Sequence, residues 1–310
     1  MYPPHPKTTS RPPSPGSAAL RLFGCALAFI MVGACSEPVG SPPSTDDASA
    51  QTDDPSSNNA ASNNAPSPNN EPPSSVVTGR VLDVQGETLG AAHVQLCGPL
   101  DGRPEQGPNL CQTADIFEDG TFVLETERWG RFKLGVSHTD SDARKFSGAA
   151  LPVELSSGSM VSIGDIWLPE VEALHSVDDG QTQATIEFDG IELHLNPADI
   201  DWNFREPQLG VAEVAREHWP TEETADGARV VAVWAWAPYG AFARDSTFTV
   251  KMADVFGLRP DARLGLFTVS KETGRIKGVG SAHVASDGQI ESGPSGFEQL
   301  TWLMLAVEED

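Results

Sequence analysis

VVTGRVLDVQGETLGAAHVQLC, residues 76–97, alternates apolar and polar side chains, breaks at Gln85-Gly86, and alternates again through Ala92, Val94 and Leu96. Successive side chains of a strand point to opposite faces, so period-two runs separated by a glycine turn mark half-buried β-strands. The same pattern continues downstream with Gln112 to Phe117, a turn at Glu118-Asp119-Gly120, Thr121 to Glu125, and Phe132 to Val136 after Trp129-Gly130-Arg131. Several short strands at this spacing predict an antiparallel sandwich over residues 76–170.

Residues 171–310 carry the same signal. Strands are expected at Ala184 to Phe188, Ile191 to Leu195, Val230 to Trp236, Thr247 to Met252, Leu264 to Val269 and Gly278 to Val284. Asp189-Gly190, Lys271-Glu272-Thr273-Gly274 and Asp287-Gly288 supply turns of the hairpin type. Only Gly210 to Trp219, with Val211, Val214, Ala215 and Trp219 at helical spacing, predicts a short helix. In Val230 to Trp236 both alternating sets are apolar, which predicts a central strand covered on both faces, with Trp234 and Trp236 in the core rather than on a sugar-stacking surface. The fold class is therefore all-β, two antiparallel β-sandwich domains following a disordered linker.

Upstream, SPPSTDDASAQTDDPSSNNAASNNAPSPNNEPPSS, residues 41–75, has almost no large apolar side chain and cannot form a core. As a flexible chain, residues 35–75 would span roughly 35 Å. Before them, residues 1–34 combine Lys7, Arg11 and Arg21 with the apolar run Leu22 to Ala34. That run is too short for a membrane-spanning helix and the right length for a signal-peptide core.

The run ends in Val32-Gly33-Ala34-Cys35, which resembles the bacterial lipobox. The resemblance implies recognition of Val32, Gly33 and Ala34 by the signal peptidase and lipidation of Cys35. An ordinary signal peptide cut near Ala34, or an uncleaved segment, is the alternative. Ser36 and Glu37 follow the cysteine where an inner-membrane retention aspartate would otherwise stand, which implies the outer membrane. Two or three acyl chains make such attachment stable, since each buried methylene contributes about 0.8 kcal/mol.

Gly79-Arg80-Val81, Gly86, Leu89-Gly90-Ala91, Val94, Asp119-Gly120-Thr121-Phe122 and Gly130-Arg131-Phe132 resemble the carboxypeptidase regulatory-like, transthyretin-like β-sandwich family. The resemblance covers Val76 to Leu168 and implies a seven-stranded structural or binding module that is not itself a peptidase. The sequence departs from the family in the long polar stretch Gly98 to Leu110, where special binding by this module would be sought. More loosely, residues 171–310 resemble a ZU5-related surface-protein sandwich.

Cys97 and Cys111 flank that stretch and are, with Cys35, the cysteines left after cleavage. In an oxidising compartment they read as a disulfide, stabilising a loop of about 15 residues by roughly 3 kcal/mol. Two buried thiols on adjacent strands are the alternative.

The chain has 20 Lys plus Arg against 44 Asp plus Glu, and loss of the three basic residues of the leader takes the formal charge from −24 to −27. Such a field repels phosphate backbones and excludes nucleic acid as a partner. The seven histidines are scattered without a His-Glu-x-x-His pair, and Gly293-Pro294-Ser295-Gly296 lacks the spacing of a hydrolase elbow. No phosphate-cradling loop or dinucleotide fingerprint occurs, so no cofactor, metal or catalytic residue is assigned. Asp140, Asp142 and the Asp178-Asp179-Gly180 turn offer oxygens that calcium could use, without the full calcium-loop spacing. The sequence thus points to a non-catalytic envelope lipoprotein, held to the membrane by its N-terminal lipid, with a protein or glycan at the cell envelope as partner. A carbohydrate-binding or calcium-dependent adhesion module is the alternative, favoured by exposure of Trp129, Trp202 or Trp219; an enzyme with a scattered site is the third reading.

Overall fold

In the computed structural model, which describes residues 73–102, 110–138, 144–171, 173–202 and 205–308, the alternating runs form strands throughout. The leader, the lipobox with Cys35, the spacer to residue 72, residues 103–109 of the polar stretch, and Asp140 and Asp142 lie outside the described residues. The described residues all fall within one compact unit.

Its first lobe contains β1 (Ser75–Asp83), β2 (Ala92–Gly98), β3 (Leu110–Ala114), β4 (Thr121–Thr126), β5 (Gly130–His138), β6 (Lys145–Phe146), β7 (Ala149–Leu155) and β8 (Met160–Leu168). Seven of these make a two-layer sandwich, β4-β1-β8 facing β3-β2-β5-β7. Alternation sets the inward face: Phe132, Leu134 and Val136 of β5 are buried, and Phe122 and Leu124 of β4 close over them. One pairing departs from the antiparallel expectation, because β1 runs parallel to β8, in register from Val76 opposite Met160 to Asp83 opposite Leu168 with a bulge after Thr78. A parallel partner needs a long connection, and here that connection is most of the lobe itself.

The second lobe follows with β9 (Glu170–Val171), β10 (His175–Ser176), β11 (Ala184–Phe188), β12 (Ile191–Leu195), β13 (Ile200–Asp201), β14 (Gln208–Glu213), β15 (Arg229–Ala237), β16 (Ala241–Ala243), β17 (Thr249–Ala253), β18 (Leu264–Val269), β19 (Ile276–Val284), β20 (Gln289–Ser292), β21 (Gln299–Leu300) and β22 (Trp302–Val307). Ten of them form one sheet, in the order β10-β14-β15-β22-β18-β19-β20-β17-β12-β11. The sheet curls until its two edges meet: Phe188 of β11 lies 4.9 Å from the His175 ring of β10 and 5.7 Å from the Trp236 ring of β15. A small sheet, β13-β16-β21, lies beside it, and β6 pairs with β9 across the lobe junction.

The expected helix at Gly210 to Trp219 is instead the strand β14 followed by a single 3-10 turn, Arg216–His218. Gly210 to Glu213 pair antiparallel with Ala237 to Trp234, so the ladder takes the backbone hydrogen bonds a helix would need. The apolar spacing that imitates a helix arises because Val211 packs on one core and Val214 on the other.

Those two cores share a wall. In β15, Val230, Val233 and Ala235 belong to the core filled by the first lobe, whereas Ala232, Trp234 and Trp236 belong to the interior of the second. In β22, Trp302, Met304 and Ala306 face the first core and Leu303 and Leu305 the second. A bulge between Val230 and Ala232 brings β15 into phase with this alternation.

The junction is sealed by close backbone approach. The Ser147 hydroxyl donates to the Trp236 carbonyl at 2.8 Å and the Trp302 indole donates to the Gly148 carbonyl at 2.8 Å. A Cβ on Gly148 would stand 2.9 Å from both the Tyr239 ring and the Val136 carbonyl. Gly274, at φ +70°, presses on the Leu151–Pro152 peptide so closely that a Cβ would overlap its backbone. Beside the junction the buried Asp83 carboxylate accepts from the Gln85 and Glu87 amides, each at 2.9 Å, and pairs with Arg144 at 2.7 Å, which also holds Glu170 at 2.7 Å.

Two outcomes follow from this junction. Gly274→Ala should lower unfolding stability by roughly 1–3 kcal/mol in urea titration, because overlapping backbone cannot be relieved by a side-chain rotation; a change within about 0.5 kcal/mol would mean that the lobes do not meet there. Burial alone would push the Asp83 carboxyl up, but Arg144 and the two amides together hold it below the ordinary carboxylate range. Its contribution is therefore present above the unfolded carboxyl value and is lost as pH falls through the lower folded value. Asp83→Asn should be less stable than the wild type at pH 7, with the gap closing towards about pH 2, as urea midpoints across that range would read.

Candidate functional site

Of the tryptophans weighed from sequence, Trp234 and Trp236 are core residues, at 6% and 0% exposure. Trp129, Trp202 and Trp219 are each half-buried, and Trp219 lines a cleft. That cleft, about 320 Å³, opens along the seam between the lobes. Ala149, Ala150 and Ile166 of the first lobe and Val269 and Trp302 of the second make an apolar floor. Trp167, His218 and Trp219 form the walls, and Asp165 and Glu217 stand at the polar rim.

Each wall is held from behind. Trp167, near the end of β8, stacks on His218 of the 3-10 turn with ring centroids 4.3 Å apart and planes 26° apart. Trp219, next along the chain, donates its indole N–H to the Val214 carbonyl at 2.7 Å, and the Arg216 guanidinium lies 5.8 Å from the centre of its ring. Arg216 in turn donates to Glu222 at 3.0 Å. Asp165 accepts both arms of Arg80, at 2.9 and 2.8 Å, and that bidentate bond holds its carboxyl below the ordinary range. By contrast, Nδ1 of His218 is shielded from solvent and has no hydrogen-bond partner among the described residues.

This arrangement presents an apolar surface in which the Trp219 and Trp302 indole N–H groups are already bonded, with carboxylate oxygens around the mouth, while Nδ1 of His218 is shielded from it. It suits a small group with an apolar face and polar edges. Trp167 and His218 were not singled out from sequence: a stacked pair contributed by separate lobes has no spacing signal, and Trp167 reads as one more alternating strand residue.

Cys97 and Cys111 stand directly opposite each other on β2 and β3 and are joined as a disulfide. Asp178 uses its carboxylate within its own turn, accepting from the Gly180 amide at 3.1 Å and the Gln181 side chain at 3.2 Å. Among the described residues no three His, Cys, Asp or Glu side chains are grouped to share a metal ion. Gly293-Pro294-Ser295-Gly296 is a turn between β20 and β21. Among the described residues no helix is long and apolar enough to cross a membrane.

No protein-family model matches the sequence, and no curated protein matches it. Among solved structures, the streptococcal ancillary pilin aligns at 7% identity over 76% of this chain and 54% of its own, with a TM-score of 0.23. BcpA, the major pilin subunit of Bacillus cereus, aligns at 8% identity over 76% and 57%, with a TM-score of 0.24. A DUF3823 family protein from Parabacteroides merdae aligns at 12% identity over 77% of this chain and all of its own, with a TM-score of 0.22. The chain spans little more than half the length of the two pilins.

The floor of the cleft depends on the Trp302 to Gly148 bond. Trp302→Phe keeps an aromatic ring but removes the donor, and the Ser147 hydroxyl, 3.1 Å from the Gly148 carbonyl, has one proton and directs it to the Trp236 carbonyl at 2.8 Å. A loss of about 1 kcal/mol in urea unfolding is expected, and an unchanged midpoint would show that this bond does not hold the seam.

Proposed function

We propose that this chain is a non-catalytic, exported lipoprotein that displays a two-lobed β-sandwich body at the cell envelope for structural, adhesive or partner-binding use. In this reading residues 1–34 are a signal peptide recognised through Val32, Gly33 and Ala34. Cys35 carries the lipid, residues 35–75 are the tether, and 76–170 and 171–310 are the two displayed domains, on the outer membrane. The single observation that carries the reading is the Cys97–Cys111 disulfide across β2 and β3. Such bonds persist in exported proteins and are rare in the reducing cytosol.

Other features agree with it. The seven-stranded, two-layer first lobe has the strand count that the carboxypeptidase regulatory-like resemblance implies. The described body begins with β1 at Ser75, where the polar spacer ends, so a lipid at Cys35 would hold it at the full length of that tether. The strongly acidic body resists association with anionic surfaces and stays soluble at the end of it. Binding of a glycan or protein would fall to a surface cleft such as the one at the seam, where an apolar floor meets a polar rim.

The test is the intact mass of the membrane-extracted protein with and without reduction before alkylation. A diacylated or triacylated N-terminus at Cys35, with two thiols alkylated only after reduction, is expected. An unlipidated chain, or Cys97 and Cys111 that alkylate without reduction, would overturn the reading.

A further inference from the structure

We infer that a second cleft on the seam, lined by Arg131 and Arg275, binds a small monocarboxylate with an apolar body, a ligand that the envelope reading does not require. This cleft, about 430 Å³, lies between β5 and β7 of the first lobe and the turn from β18 to β19 of the second. Arg131 stands opposite Glu154 across the β5–β7 ladder. Gly274 presses on the Leu151–Pro152 peptide of the same β7, so Arg275, one residue on, starts beside that strand. The turn that carries it is pinned. The Ser270 hydroxyl accepts from the Thr273 amide at 3.2 Å, and the Thr273 hydroxyl accepts from the Arg275 amide at 3.3 Å. Two arginines from different lobes thus line one cleft.

Charge selects the occupant. Arg80, Arg144, Arg216, Arg244, Arg259 and Arg263 are each in an ion pair. The guanidinium groups of Arg131 and Arg275 have neither an ion-pair nor a hydrogen-bond partner among the described residues. Glu154 is the one carboxylate in the described lining, and despite its register it makes no ion pair with Arg131. Asp101 lies against Gly130, and Glu272 accepts from Ser270 at 3.0 Å and Gln299 at 2.6 Å; neither acid lines this cleft. The three charged lining groups leave one positive charge in excess, which a monoanion neutralises. A dianion would restore a negative excess in a chain already at −24, a cation meets two guanidinium groups, and a neutral group pairs with neither. Among monoanions, a carboxylate matches the planar guanidinium fork through two parallel N–H···O bonds. Leu100, Phe132, Pro152 and Val153 complete the lining with Thr273 and supply an apolar side for the body of the acid.

The mature, full-length protein is titrated in a calorimeter with benzoate, and separately with benzamide as its neutral isostere, benzylammonium as a cation, acetate as a carboxylate without the apolar body, and inorganic phosphate. Benzoate is expected to saturate, to bind at least about tenfold more tightly than any other probe, and to weaken as salt rises from roughly 0.01 to 1 M. Arg131→Gln and Arg275→Gln should each weaken benzoate by about fivefold, and Glu154→Gln should tighten it by about threefold because a like charge is removed. Arg263→Gln, outside the cleft and paired with Glu308, should leave benzoate binding unchanged. The three cleft substitutions change exposed side chains, so a native urea midpoint separates lost binding from lost folding. Benzamide binding as tightly as benzoate, phosphate binding more tightly, no binding of benzoate, or full binding in both arginine variants overturns the proposal. None of these outcomes touches the tethered-body reading, which stands or falls on the lipid at Cys35 and the disulfide.

Discussion

Two strands that are apolar on both faces dictate the shape of this protein. A sheet that buries one face can leave the other in water, but β15 and β22 carry Val230, Val233, Ala235, Trp302, Met304 and Ala306 on the side away from the interior of their own lobe. Each fully buried aliphatic side chain contributes roughly 1.5–3 kcal/mol relative to exposure. A second lobe without the first would leave that stripe wet, so the two lobes are coupled through a common wall. The small residues at the contact follow from it: Gly148 and Gly274 lie where backbone meets ring or backbone directly, and the Ser147 hydroxyl satisfies a carbonyl of the wall itself.

The cleft is a product of the same constraint. Two rounded bodies pressed together along a wall leave a groove at its rim, and residues that close one lobe become walls for something outside both. Trp302 sits at 7% exposure because it belongs to the first core, yet its remaining edge is the floor of the groove. The Trp167–His218 stack spans the seam, so the groove's shape and the lobes' docking are one structural fact.

Charge is distributed to the same end. In a strongly acidic chain, several basic side chains gather near the junction. Arg144 binds Asp83 and Glu170 there, and Lys271 donates to the Gly240 carbonyl at 3.1 Å. Burial pushes the Lys133 and Lys271 ammonium groups below their usual range, with Glu272 opposing that shift in both. These cations offset acidic repulsion where the chain must pack most closely.

Strand content was legible because alternation is a local property: β1, β2, β4, β5, β11, β12, β15, β17, β18 and β19 lie within a few residues of runs read from spacing alone. The double-faced apolar pattern of Val230 to Trp236 also declared a covered strand. What covered it was not legible, because periodicity reports that a face is buried and never against what. The helix expected at Gly210 to Trp219 failed for that reason: its apolar residues serve two cores on opposite sides of one strand, a division that imitates helical spacing. The parallel pairing of β1 with β8, the closing of the ten-stranded sheet and the meeting of Trp167 with His218 are long-range contacts selected by shape. The sequence by itself determined an all-β body built from alternating strands; only tertiary structure decided that its lobes share a wall and which side chains meet at the seam, because burial is encoded residue by residue whereas partnership is settled by how whole surfaces fit.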